Sequence, residues 1–183
     1  MFRVNSNKKE EGFTLIELMV VLVILSIVIL GLVTFFTGGA RSWISGQSQL
    51  KSQREARQAM EYMVREIRHG ESVVTGNAHI VTLAVPQLDS EPAYQVRYSW
   101  SGTYWDPVNR EVNSVINSVI SNVINLTFEY YSDSDPVNPI APLPVDSNDN
   151  VNKIHIQLQV DTDKDNKPDI ELNSDIDLRN YGL

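Results

Sequence analysis

The densest group of side chains able to do chemistry lies near the carboxyl end, in Asp161-Thr162-Asp163-Lys164-Asp165-Asn166-Lys167-Pro168-Asp169. Asp161, Asp163, Asp165 and Asp169 place oxygens at relative positions 1, 3, 5 and 9, and the main-chain carbonyl of Lys167 falls at position 7. That is the opening of a calcium-binding loop, in which short acids on a tight turn converge on one point. Calcium takes about six to eight hard oxygens. Two departures stand out. Asn166 occupies the position of the usual glycine, although Asn tolerates a left-handed backbone. Leu172 occupies the position of the bidentate glutamate, and Asp175 or Glu171 could replace it only by another geometry. A calcium loop and a solvated acidic turn between two strands are both open readings. Calcium is therefore an expectation, and no cofactor is required.

Other chemistry finds little support. His69, His79 and His155 are scattered, with no metal-ligand spacing. No nucleophile elbow, phosphate-binding glycine loop or paired zinc histidines occur. There is no cysteine, so disulfides, thiolate metal sites and a cysteine nucleophile are excluded. The expectation is a protein that is not an enzyme. Net charge is −8, from 15 basic and 23 acidic residues in 183. That balance argues against a nucleic-acid partner, which needs a dense basic patch. Twelve of the acids lie between Glu129 and Asp177.

The amino-terminal end has a different character. Nineteen of the 24 residues from Phe13 to Phe36 are apolar, enough to span a bilayer as one helix. Glu17 interrupts them, and an acid at a helix centre costs about 2.5–3.5 kcal/mol on insertion. A polar dozen with Arg3, Lys8 and Lys9 precedes the run. One reading is a secretory signal peptide cut near Gly38-Gly39-Ala40, but the run is too long for one and contains an acid. A plain signal anchor is another.

The residues Gly12-Phe13-Thr14-Leu15-Ile16-Glu17, followed by the apolar helix, support a third reading. They resemble the class III signal of type IV pilins and type II secretion pseudopilins. The resemblance implies that a prepilin peptidase cuts after Gly12, on the cytoplasmic side, and N-methylates Phe13. It implies that Glu17 acts in assembly. Glycine lets the backbone enter a narrow cleft. A Phe13 ammonium on one subunit could pair with Glu17 of a neighbour, which lowers the cost of burying either charge and sets the axial register. The alternative for Glu17 is an acid snorkelling to the head groups. Basic residues lie on both sides of the span, so charge does not decide orientation. The resemblance does: it implies a single-pass protein of the bacterial inner membrane with its carboxyl-terminal part exported. The implied partners are other pilins or pseudopilins, the prepilin peptidase, an inner-membrane assembly platform and the membrane itself.

The elements that must carry these sites follow from periodicity. Residues 1–12 read as a leader, 13–37 as a transmembrane helix, 38–70 as its amphipathic continuation and 71–183 as a β-rich exported domain. Gly38-Gly39 is expected to loosen the helix. From Ser42 to about His69, Ala56, Met60, Met63, Val64 and Ile67 form one apolar stripe, opposite the pairs Arg57–Glu61 and Glu61–Arg65. Gly70 is a stop signal. Strands are expected at His79–Pro86, Tyr94–Ser101, Thr103–Trp105, Val123–Tyr131, Lys153–Val160 and Ile170–Leu178, with a hairpin at Ser101-Gly102. Val123, Asn125, Thr127, Glu129 and Tyr131 should share one face of their strand, and Ile124, Leu126, Phe128 and Tyr130 the other. Asn113–Asn125 reads NSVINSVISNVIN, an irregular edge segment that could serve as a polar-aliphatic interaction edge. Pro136–Pro144 is a loop continued by Asp146–Asn150. The fold class is α+β: a long amino-terminal helix, half transmembrane and half amphipathic, packed on a largely antiparallel sheet as in pilins.

A looser resemblance joins Ser121–Tyr131, Asn152–Val160 and Ile176–Asn180 to the strands of minor pseudopilin J and its type IV pilus equivalent. It implies a minor structural subunit at or near the tip of a pilus or pseudopilus. The alternative is a membrane-anchored, calcium-dependent adhesion or binding module using a pilin-type anchor.

Overall fold

The computed structural model describes residues 12–87, 92–141, 143–146 and 150–178. The expected leader, apart from Gly12, lies outside these residues, as do Arg179 and Asn180 of the last expected strand. By compactness the chain divides into Met1–Gly46 and Gln47–Leu183.

In the first unit the described chain is helix from Leu15 onward. Helix α1 runs Leu15–Arg68. It continues through Gly38-Gly39 without a break, so the expected loosening there does not occur. Its apolar side chains up to Phe36 are exposed all round. The few hydroxyls among them are satisfied by the helix itself: Ser26 Oγ donates to the Leu22 carbonyl at 2.7 Å and Thr34 Oγ1 to that of Leu30 at 2.8 Å. That internal pairing is what an apolar solvent demands of a polar group.

In the second unit α1 buries Ala56, Ala59, Met60, Met63, Glu66 and Ile67. This is the expected stripe, with Val64 at its margin and an acid inside it. The pairs Arg57–Glu61 and Glu61–Arg65 do not close. Among the described residues the ion pair along α1 is Lys51–Glu55, at 3.6 Å. The helix ends where Gly70 donates to the Ile67 carbonyl at 2.9 Å.

The strands form two antiparallel sheets, where one was expected. The first holds β1 (Ser72–Asn77), β2 (Ile80–Val85), β3 (Tyr94–Ser99), β4 (Val108–Val112), β5 (Val115–Ile120) and β7 (Val145–Asp146), in the order β5-β4-β3-β2-β1-β7. The second is β6 (Val123–Ser132), β8 (Val151–Val160) and β9 (Ile170–Asp177), in the order β6-β8-β9. Every pairing is antiparallel. The face of Ile124, Leu126, Phe128 and Tyr130 is buried, as are Ile154, Ile156, Leu158 and Val160 of β8.

Three local expectations are corrected. Thr103–Trp105 is turn, not strand: Gly102 and Trp105 take φ of 80° and 68°, and the chain reaches β4 only at Val108. The hairpin through Ser101-Gly102 exists but is longer than expected: β3 pairs antiparallel with β4 across residues 100–107, not with Thr103–Trp105. Asn113–Asn125 does lie at a sheet edge, but Val115–Ile120 within it is a strand, with one shift of register opposite Val108 and Asn109. Asn113 and Ser114, at φ of 50° and 65°, form the two-residue turn that right-handed strand twist favours, and β5 follows in register from Val115 to Ser118. Val and Ile favour a pleated surface, and Asn tolerates the left-handed turn positions.

The sheets meet at β6. Tyr130 reaches across to donate to the carbonyls of Asn77 and Ile80, at 2.9 and 2.8 Å. Gly76 is required there, because a Cβ would collide with the Tyr130 ring. Phe128 N donates to the Ala78 carbonyl at 2.9 Å, and side chains from α1 and both sheets share one core.

Candidate functional site

The first site is the start of α1. Thr14 is the residue before the first helical position, and Glu17 stands three residues on. Thr14 N and Oγ1 donate to Glu17 Oε2 at 3.3 and 3.2 Å, while Glu17 N donates back to Thr14 Oγ1 at 3.3 Å. This reciprocal pair is a capping box, which satisfies two of the orphan amides at a helix start. It went unread in the sequence, although Thr-x-x-Glu before an apolar run is its signature. Phe13 is 86 % exposed, and Glu17 is exposed too, bonded to Thr14 alone among the described residues. α1 is long and apolar enough to cross a membrane.

The second site is the loop between β8 and β9. Asp161 is fully buried. Its Oδ1 accepts from Lys164 N at 2.7 Å, and its Oδ2 from Asn166 N at 2.9 Å and Trp105 Nε1 at 3.2 Å. Burial alone would raise its pKa, but these donors outweigh burial and hold it below the ordinary value. Asp163 Oδ1 accepts from Asp165 N at 3.2 Å, and Asp169 Oδ2 from Thr162 N at 2.7 Å. Lys164 and Asn166 take φ of 64° and 67°, so Asn166 does adopt the left-handed backbone expected of it.

Carboxylate oxygens of Asp161, Asp163 and Asp169 lie within 4.8 Å of one another. Asp165 is not in that group, and its Oδ1 accepts from Lys167 N at 2.8 Å. Leu172 sits in β9 opposite Leu158, so position 12 offers no oxygen. The loop brings together three of the four expected acids and leaves other coordination positions to main-chain oxygens or water. Desolvation and the charges of Asp165, Asp169 and Asp161 push the Asp163 carboxyl up, against one hydrogen bond from Asp165.

A third cluster has no counterpart in the sequence reading. Glu66 of α1 accepts from Arg110 Nε at 2.9 Å and Nη2 at 2.5 Å, from Tyr94 OH at 3.0 Å and from Tyr98 OH. It is 8 % exposed. Burial works to raise its pKa; the bidentate guanidinium and the two phenols outweigh it, so the carboxyl stays below its ordinary 4.5. Burial and Glu66 raise Tyr98, and the bond to Glu66 raises Arg110. Tyr62 stacks beside Arg110, whose guanidinium carbon is 5.6 Å from the ring centroid. The available signal was an acid at position 66 within the stripe of Met63 and Ile67, which needs a cation opposite.

The histidines lie apart. His79 packs edge-on to Trp100 and bonds the Leu126 carbonyl at 2.7 Å, while His155 pairs with Asp175 at 2.7 Å.

Compared with known families, residues 7–33 match the prokaryotic N-terminal methylation motif. No curated protein matches the chain.

Proposed function

We propose, from an amino-terminal signal that is prepilin-type and a helix-on-antiparallel-sheet architecture that is pilin-like, that this chain is a minor structural subunit of a type IV pilus or type II secretion pseudopilus, at or near its tip. The observation that carries the reading is the methylation motif over residues 7–33 on a helix able to cross a membrane. In this reading prepilin peptidase cuts after Gly12 and methylates Phe13. The subunit waits in the inner membrane by one span, with its sheets exported. Other pilins and an inner-membrane platform then draw it into the filament. Glu17 meets the Phe13 ammonium of a neighbour. The capping box supports that role, because Thr14 holds the carboxylate at the first turn without neutralising it.

Co-expression of the full chain with a prepilin peptidase tests this. Mass spectrometry should find a protein beginning at N-methyl-Phe13. An uncut chain, or one beginning elsewhere, overturns the reading.

The loop at Asp161, Asp163 and Asp169 favours a calcium-dependent element within the same subunit. Calcium would tie three carboxylates that otherwise repel, between the ends of β8 and β9. A rise in melting temperature with millimolar Ca²⁺ but not Mg²⁺, absent in Asp163→Asn, is the expected result; no shift removes calcium from the account.

A further inference from the structure

Of the three tryptophans, the fold engages two. Trp100 is buried, edge-on to His79, and Trp105 donates to Asp161. Trp43, on α1, is 70 % exposed, with no hydrogen bond or ring contact among the described residues. Ile44 beside it is 67 % exposed. Arg41 is the one charged residue between Glu17 and Lys51. Among the described residues it pairs with no acid.

Distance along α1 places these groups at one level. Twenty residues, Leu18 to Thr37, separate Glu17 from Gly38. At about 1.5 Å per residue they cover about 30 Å, the thickness of a hydrocarbon core. With Glu17 at one edge of that core, Gly38-Gly39-Ala40 falls in the glycerol and carbonyl layer at the other. Long side chains on a helix lean back over the preceding turn. The Arg41 guanidinium and the Trp43 indole therefore reach the same layer. A Cβ at Gly38 or Gly39 would meet nothing within 4 Å, so the helix surface there is open to lipid.

The chemistry suits that layer. An indole has an apolar body and one N–H, and it settles where hydrocarbon meets head group. A guanidinium binds phosphate oxygens in pairs. Residues two apart on a helix point to different sides, so Arg41 and Trp43 do not share a face. A protein groove covers one side of a helix, whereas a bilayer interface surrounds it.

We propose that Arg41 and Trp43 form a girdle on phospholipid head groups at the carboxyl end of the span, Arg41 on phosphate and Trp43 in the carbonyl layer, and that this girdle sets the depth of the helix. Interfacial aromatic and basic residues set how a span sits in its bilayer. α1 is unbroken from Glu17 to Arg41, about 36 Å at 1.5 Å per residue. Fixing Arg41 in one interface thus holds Glu17 at the opposite edge of the hydrocarbon. The girdle rests on the membrane-anchor reading.

The test reconstitutes the full chain in phosphatidylcholine vesicles. The emission of Trp43 is the wild-type signal less that of Trp43→Phe. Lipids brominated high on the acyl chain should quench it more than lipids brominated near the chain end. Equal or stronger quenching by the deep bromine, or none at all, overturns the girdle; an unquenched Trp43 stands in water or against another chain. The sequence has no cysteine, so Ser42→Cys supplies a single thiol for a membrane-impermeant maleimide. Labelling in vesicles, relative to the same variant in detergent, should fall several-fold when Arg41→Gln is added. No charge then stands between Glu17 and Lys51, and the helix is free to sink. Unchanged or increased labelling overturns the control of depth. Carbonate extraction is scored on every preparation. A wild-type chain that washes off the vesicles fails the anchor reading itself, whereas a retained chain without these effects fails the girdle alone.

Discussion

α1 carries a glutamate near each end, and the protein treats them in opposite ways. Glu66 is enclosed and receives two bonds from Arg110 and one each from Tyr94 and Tyr98. Glu17 is exposed, among apolar residues, and among the described residues only Thr14 bonds to it, at 3.2–3.3 Å. The same contrast recurs in the acidic loop, where Asp161 is buried under three donors while Asp163 is exposed and crowded by other acids. A buried acid with its partners supplied belongs to the fold. An acid left short of partners is available to something outside it.

The sharpest way to break the comparison is to remove the partnered acid. Glu66→Ala leaves Arg110 and two phenols without their acceptor and should cost about 3–5 kcal/mol by chemical denaturation. Replacing Glu66 and Arg110 together by Leu should recover most of that, because no lone charge remains buried.

Acid should expose the same dependence. The folded pKa of Glu66 lies below its ordinary 4.5, so its stabilising contribution is complete above that value and is lost as pH falls through the folded pKa. The double Leu variant should lose less stability on acidification than the wild type, read from denaturation midpoints at falling pH.

Millimolar Ca²⁺ should stabilise the wild type by about 1.4 kcal/mol, from mass action at roughly tenfold excess over the Kd of a weak site. Asp163→Asn should not respond.

Glu17 should give the smallest effect on stability. Glu17→Ala removes half of a capping box, worth at most about 1 kcal/mol and confined to the first turn. The melting of Gln47–Leu183 should not change, while assembly should fail. Glu17→Gln keeps an acceptor for Thr14 and drops the charge. If assembly survives in Glu17→Gln, the cap and not the charge is what matters.

Much of the fold was legible. Alternation in Val123–Tyr131 and Lys153–Val160 gave β6 and β8 and the division of their residues between two faces, because a half-buried strand must alternate. The stripe on α1 was legible for the same reason at helical spacing. β1 and β4 were missed: Ser72–Asn77 contains a glycine, and Val108–Val112 carries Arg110 and Glu111, so neither looks apolar in alternation. Gly76 is there for the Tyr130 ring, and Arg110 is there for Glu66. Both partners are more than forty residues away, and no local pattern marks them. Trp105 was read as part of a strand, whereas its indole caps Asp161 from the β3–β4 connection.

The amino-terminal signal needed no tertiary structure. It lies in the order of residues along the chain, Gly12, Phe13, Glu17 and an apolar run, within the methylation motif matched over residues 7–33. The acidic loop was half determined in the same way: the spacing placed the acids on one turn, but only the folded backbone decided that three converge and Asp165 does not. The partition between the two glutamates was tertiary from the start. Sequence shows two acids on one helix. Which of them is consumed by the fold depends on whether Arg110, Tyr94 and Tyr98 are brought beneath it, and that is set by the register of β3 and β4 under α1.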